Sequence, residues 1–170
     1  MADKREVEHW LDVEGCSKYK EAIKLSIEDS KNDPETEPYK SKYDSREILL
    51  ELKKKLDSFQ AVGDENTDAD IGTRLKALQS VIEYDLALNY IETEEKSTGE
   101  RYLNGLKDKL EDLRMETEFC CVLIKCYQHL GMLWNGRGEL EKSLHFFNNS
   151  EKLCEDYKKS FETPPLRTEE

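Results

Sequence analysis

The sequence predicts an all-α fold: a solenoid of about three antiparallel helix pairs. Three observations carry that reading. Apolar residues recur at three- and four-residue steps in six separate stretches, and no stretch alternates as a strand would. Only 4 Pro and 8 Gly interrupt 170 residues rich in Leu, Lys and Glu. The later stretches also repeat a pattern of small and aromatic residues at fixed offsets, the signature of stacked helical hairpins.

In chain order, Trp10, Val13, Cys16, Tyr19, Ala22, Ile23 and Ile27 form one apolar face of the first helix, with Gly15 a candidate break. Pro34 and Pro38 then forbid a helix, so residues 32–43 are expected as a connector. Asp44 or Ser45, with Glu47 following, caps a second helix whose apolar face is Ile48, Leu49, Leu52, Leu56 and Phe59. Residues 1–60 are thus the first pair. Residues 57–70 hold five acids and no base, and 61–73 is expected as an acidic flexible linker. A third helix from about Arg74 to Glu92 packs Leu75, Leu78, Ile82, Leu86 and Tyr90. Ser97-Thr-Gly-Glu100 is a capping box at the start of a fourth, which carries Tyr102, Leu103, Leu106, Leu110 and Leu113. These two make a pair over 74–115. The last pair, 116–160, has its turn at Gly136-Arg-Gly138, and Thr163-Pro-Pro-Leu166 lies in a tail, 161–170.

The last pair fits a tetratricopeptide repeat. Tyr127, Leu130-Gly131 and Trp134 lie on its first helix, and Ser143, Phe147 and Ser150 on its second. Gly131 and Ser143 lack bulk, so the helices can cross closely, and the aromatic side chains fill the space around the crossing. The preceding pair carries a looser copy: Leu86-Ala87, Tyr90, Gly99 and Leu103. The two copies stand 44 residues apart.

The net charge of −12 argues against nucleic acid or an anionic membrane surface as partner. No apolar run is long enough for membrane insertion, and the charged N-terminus leads into no signal-like stretch. Five Cys at irregular spacing make no disulfide framework and read as reduced, packing thiols. Asp64 to Asp70 begins like a calcium loop, but Ala69 stands where that loop needs Gly and Leu75 where it needs Glu. Cys121, Cys126 and His129 lack a fourth ligand for zinc. Asn148-Asn-Ser150 is a sequon with no secretory signal beside it. His9, His129 and His145 form no visible triad, and no phosphate-binding loop is present. Tyr84, Tyr90 and Tyr102 read as core. The expectation is therefore a non-enzymatic protein without cofactor or metal. One cluster stands apart, Tyr39-Lys40-Ser41-Lys42-Tyr43: basic in an acidic chain and placed in a connector. Tyr39, Lys40, Lys42 and Tyr43 are candidate partner contacts.

The same residues carry a resemblance. Asn32 to Tyr43, Ile82 to Glu95 with Thr98-Gly-Glu100, Leu130-Gly-Met-Leu-Trp134 and Ser150 to Leu166 resemble, in order, the N-terminal portion of the KIF-binding protein family. The resemblance implies a cytoplasmic, cytoskeleton-associated tetratricopeptide-like solenoid that binds kinesin motor domains and inhibits their attachment to microtubules. It thereby implies effects on mitochondrial and axonal transport and on cytoskeleton organisation, with microtubule association only indirect. A kinesin's microtubule-binding surface is basic, so an acidic solenoid suits it. Members of the family are several times longer, so the chain is expected to be an N-terminal portion. Two alternatives remain open. One is a generic, co-chaperone-like peptide scaffold, for which the best repeat offers only Lys125 on its first helix toward a carboxylate clamp. The other is an inactive fragment lacking the C-terminal half of the site.

Overall fold

The computed structural model describes residues 3–61 and 69–162. Its elements are α1 (Lys4–His9), a π-helical segment (Trp10–Gly15), α2 (Cys16–Ile27), a 3-10 turn (Asp29–Asn32), α3 (Lys40–Ala61), α4 (Ala69–Glu92), α5 (Lys96–Leu110), a second 3-10 turn (Glu111–Leu113), α6 (Thr117–Gly136) and α7 (Leu140–Glu162). Among the described residues there is no strand. The chain divides within α5 into two compact units, one ending at Tyr102 and one beginning at Leu103.

α1, the π segment and α2 run on without a break. Gly15 does not divide them; it is a buried notch. A Cβ there would lie 2.9 Å from Cζ3 of the Trp10 ring, which folds over it and meets Phe59 edge-on at 5.3 Å. The π segment adds a residue to its turn and so rotates the apolar face. Leu11 is therefore buried, whereas Val13, expected on that face, is 54% exposed.

α3 begins at Lys40, earlier than the expected cap at Asp44 or Ser45. The reason lies eight residues upstream. The Asp33 carboxylate accepts from the backbone N–H of Ser41 at 2.9 Å and from its hydroxyl. It thus supplies an acceptor for an N–H that the first helical turn leaves unpaired. Ser45 instead sits inside, its hydroxyl donating to the Ala22 carbonyl at 2.7 Å. α4 likewise starts at Ala69, inside the stretch expected as linker, while residues 62–68 lie outside the description and with them most of the calcium-like motif. Tail residues 163–170 also lie outside it.

The core of the first unit joins Val7, Trp10 and Leu11 to Leu49, Leu52 and Leu56 of α3 and Ile71, Leu75, Ile82 and Leu86 of α4. Each fully buried Leu or Ile contributes roughly 1.5–3 kcal/mol. In the second unit Phe119, Leu123 and Leu130 of α6 and Leu153 of α7 are buried. Leu140, Leu144 and Phe147 of α7 and Met132 of α6 remain exposed.

Two hairpin turns share one backbone design. α4 ends with the Glu94 N–H on the Ile91 carbonyl and the Glu95 N–H on the Tyr90 carbonyl, with Glu94 in the left-handed region at φ 69°. α6 ends with the Gly138 N–H on the Asn135 carbonyl and the Glu139 N–H on the Trp134 carbonyl, with Gly138 at φ 78°. Both are Schellman caps. Twelve residues separate the small pair at each crossing, Ala87 and Gly99 in one hairpin and Gly131 and Ser143 in the other. A Cβ on Gly99 would stand 2.7 Å from the Ala87 carbonyl oxygen and 2.5 Å from Ile91 Cγ1. Ser143 is small enough for its hydroxyl to donate to the Gly131 carbonyl at 2.8 Å, and the Phe147 ring fills the space over Gly131.

These contacts separate three glycines that look alike in sequence. Gly99→Ala is expected to cost about 1–3 kcal/mol through overpacking, and Gly138→Ala about 1 kcal/mol through left-handed strain. Gly105→Ala, where no atom lies within 4 Å of the added methyl, is expected to stabilise by roughly 0.5–1 kcal/mol. Urea midpoints followed by helical circular dichroism check all three; equal effects at Gly99 and Gly105 would contradict the crossing geometry.

Candidate protein-binding surface

The candidate contact cluster lies on the first turn of α3 and the residue before it, rather than in a loop. Its four members have different environments. Lys42 is committed inward: its ammonium donates to Glu92 at 2.6 Å and to the Ser26 carbonyl at 3.1 Å, and its side chain is 18% exposed. Tyr39, Lys40 and Tyr43 face outward. With Thr36, Glu37, Pro38 and Asp44 they line an open depression of about 430 Å³. The two tyrosine rings meet edge-on at 6.3 Å. Partial burial raises the Tyr39 pKa, helped by the Glu94 carboxylate that its hydroxyl engages. An aromatic pair with one exposed ammonium at its edge is a surface suited to a protein partner.

A polar hub on α3 fixes this surface from beneath. Arg46 donates to the Asn89 side-chain oxygen at 2.8 Å and to the Thr93 hydroxyl at 2.7 Å, and pairs with Glu95 at 2.8 Å. Its guanidinium lies over the Tyr90 ring at 4.0 Å and the Tyr43 ring at 5.0 Å. Asn89 in turn donates to the Lys42 carbonyl at 2.8 Å. Two cations of α3 thus rest on side chains at the C-terminal end of α4, where the helix dipole adds partial negative charge. Arg46 suits this place because its planar fork serves several acceptors and stacks on an aromatic face at once. A second tie joins α2 to α4: the Tyr19 hydroxyl donates to the Asp85 carboxylate at 2.6 Å. Nothing in the spacing of the sequence singles out Arg46 or the Tyr19–Asp85 pair, since both join residues far apart in the chain.

The repeat residues lie in helix interiors. Leu86, Ala87, Leu103 and Leu130 are fully buried, and Tyr127 and Ser150 nearly so. Tyr90 stacks on Tyr102 at 5.6 Å. Burial, with Tyr90 alongside, raises the Tyr102 pKa. Trp134 and Phe147 stay partly open at the surface.

Chemistry elsewhere is sparse. Among the described residues no group of three or more His, Cys, Asp or Glu is placed to hold a metal. Cys120 is buried and Cys121 exposed, as adjacent helical positions on different faces. Burial raises the Cys120 thiol pKa, with Cys121 and Cys154 adding to the shift, which disfavours the reactive thiolate. No described helix is long and apolar enough to cross a membrane.

The chain is similar to KIF-binding proteins of several animals. The chain is 36% identical over 152 residues to the KIF-binding protein of Gallus gallus, covering 89% of this chain and 24% of that protein. It is 32% identical over 178 residues to the KIF-binding protein of Homo sapiens, covering 92% of this chain and 28% of that protein. Against the KIF-binding protein of Drosophila melanogaster it is 32% identical over 145 residues, covering 84% and 24%. The chain therefore spans about a quarter of the length of the curated relatives it matches. No family model and no solved structure matches it.

Two outcomes follow from the hub and the Tyr19–Asp85 tie. Arg46→Met is expected to lower stability by about 2–4 kcal/mol, because it strands buried acceptors; Arg46→Lys restores only part. Urea unfolding measures both. Burial raises the folded Tyr19 pKa well above its ordinary value of 10.0, with Asp85 adding to the shift. The protonated form is thus favoured by folding. The contribution is complete below pH 10.0 and declines as pH climbs from there toward the folded value. Tyr19→Phe is expected to remove that part of the alkaline loss, read from thermal midpoints across an alkaline series.

Proposed function

We propose that this chain, which belongs to the KIF-binding protein family over the quarter of those proteins' length that it spans, is a non-enzymatic adaptor segment that binds kinesin motor domains. The observation that carries this reading is the match itself: relatives named for binding KIF proteins align with 84–95% of the chain. The fold is in keeping with it, because helical hairpins present extended surfaces rather than enclosed clefts. Part of this role, in our reading, is inhibition of the motor's attachment to microtubules. An acidic chain of net charge −12 is electrostatically suited to a basic motor surface, and the association is then fast and salt-sensitive. Regulation of mitochondrial and axonal transport and of cytoskeleton organisation, from a cytoplasmic position associated only indirectly with microtubules, belongs to the same reading. Tyr39, Lys40 and Tyr43 are the outward contacts in this scheme. Lys42 supports them from below.

The test is a binding titration of the chain against a kinesin motor domain at low and physiological salt, with microtubule co-sedimentation alongside. Saturable binding that weakens with salt and shifts the motor off microtubules is expected. Tyr39→Ala with Tyr43→Ala is expected to weaken it roughly tenfold. A folded, helical chain that leaves motor sedimentation unchanged would sink the reading for this segment.

A further inference from the structure

The second unit carries a surface feature that the motor-binding reading leaves unused. Asn104 of α5, Trp134 of α6 and Glu141, Lys142, His145 and Phe146 of α7 line an open groove of about 360 Å³. That volume accommodates two or three side chains of a ligand. Its floor is aromatic. Trp134 and Phe146 are half-buried, and Phe146 packs against Tyr127 at 6.4 Å.

Cations gather on those rings. Lys142 lies over the Trp134 ring at 4.3 Å and Arg137 over the same ring at 4.7 Å. Lys107 lies over Phe146 at 5.7 Å, and the His145 ring meets Phe146 edge-on at 5.7 Å. Two carboxylates lie beside these cations: Glu141, on the lining, and Asp108, 3.5 Å from Lys107. Lys142, resting on an aromatic face, keeps N–H donors for an anion, because the ring engages charge without consuming a hydrogen bond.

This placement runs against the character of the chain. A protein of net charge −12 repels anions at long range. At physiological salt, however, the field is screened within about 8 Å, so the groove's own charges decide what binds there. Apolar floor and cationic rim together fit one kind of occupant: a segment that buries an aliphatic or aromatic side chain and carries carboxylates beside it. The Asn104 side-chain amide, with both a donor and an acceptor, is suited to that segment's backbone.

We propose that this groove docks an extended acidic peptide, its apolar side chain on Trp134 and Phe146 and its flanking carboxylates on Lys142, His145 and Lys107. The site shares no residue with the Tyr39–Tyr43 surface, so either reading can fail without the other.

The test uses the whole chain and a fluorescently labelled peptide of alternating glutamate and leucine, with its glutamine–leucine counterpart as the neutral control. Anisotropy is expected to report saturable binding of the acidic peptide, weakening as salt rises. The neutral peptide is expected to bind at least about tenfold more weakly. The Trp134 indole N–H, told apart from that of Trp10 by a Trp134→Phe variant, is expected to shift on titration. Lys142→Glu sits at an exposed position of α7 and leaves the core untouched, so a fold defect does not obscure its result. It is expected to weaken binding about tenfold, and Lys20→Glu, at an exposed position of α2, is not. Three results would each overturn the proposal: no saturable binding by the folded chain, binding indifferent to Lys142→Glu, or inorganic phosphate alone reproducing the Trp134 shift and displacing the peptide, which marks a small-anion site.

Discussion

Two helices can lie close together only where both have little to put between them, and this chain meets that constraint twice. At Ala87 and Gly99, and again at Gly131 and Ser143, the residues at the crossing are so small that backbone or a hydroxyl forms the contact. A left-handed cap seven residues beyond the first member of each pair turns the chain back on itself. Everything larger is arranged around these points. Phe147 covers Gly131, and Tyr90 stacks on Tyr102 near the first crossing. Because the turn and the crossing keep the same spacing in both hairpins, the 44-residue repeat is a repeat of backbone geometry as well as of residue type. It tolerates substitution of Glu for Gly in the left-handed position, at a cost that packing elsewhere offsets.

Charge has a second ordering role. The acids outnumber the bases, so where the cations go decides the local character of the surface. Lys42 and Arg46 are drawn to the C-terminal end of α4, where Glu92, Glu95 and the negative end of the helix dipole await them. That leaves Lys40 as the outward cation among the candidate contacts. In the second unit, Lys107, Arg137 and Lys142 are held instead by aromatic faces. The first arrangement neutralises its cations and fixes structure. The second sets its cations on aromatic rings beside an open groove and so favours recognition.

Much of this was legible in the residues. Six helical stretches, the Gly136-Arg-Gly138 turn and the apolar faces of α3 and α4 all follow from period and punctuation, which are local properties. Where the fold departs from the local pattern, the cause is physical. Val13 fits a period of 3.6, and the π segment moved it to solvent. Asp44 and Ser45 look like caps, but Asp33 reached the helix start first from across the connector. Lys42 reads as an exposed base in a polar run; Glu92, fifty residues on, holds it. Arg46 has no pattern in sequence at all, because its partners Asn89, Thr93 and Glu95 lie on another element.

Sequence by itself determined which segments are helical, where the small residues stand and how far apart the repeats fall, since each depends on neighbours within a turn or two. Its resemblance pointed to the family. Tertiary structure decided which of the polar residues are occupied and which are free to meet a partner. That choice depends on distances between elements, and two lysines with the same local surroundings are told apart only by what the fold brings opposite them.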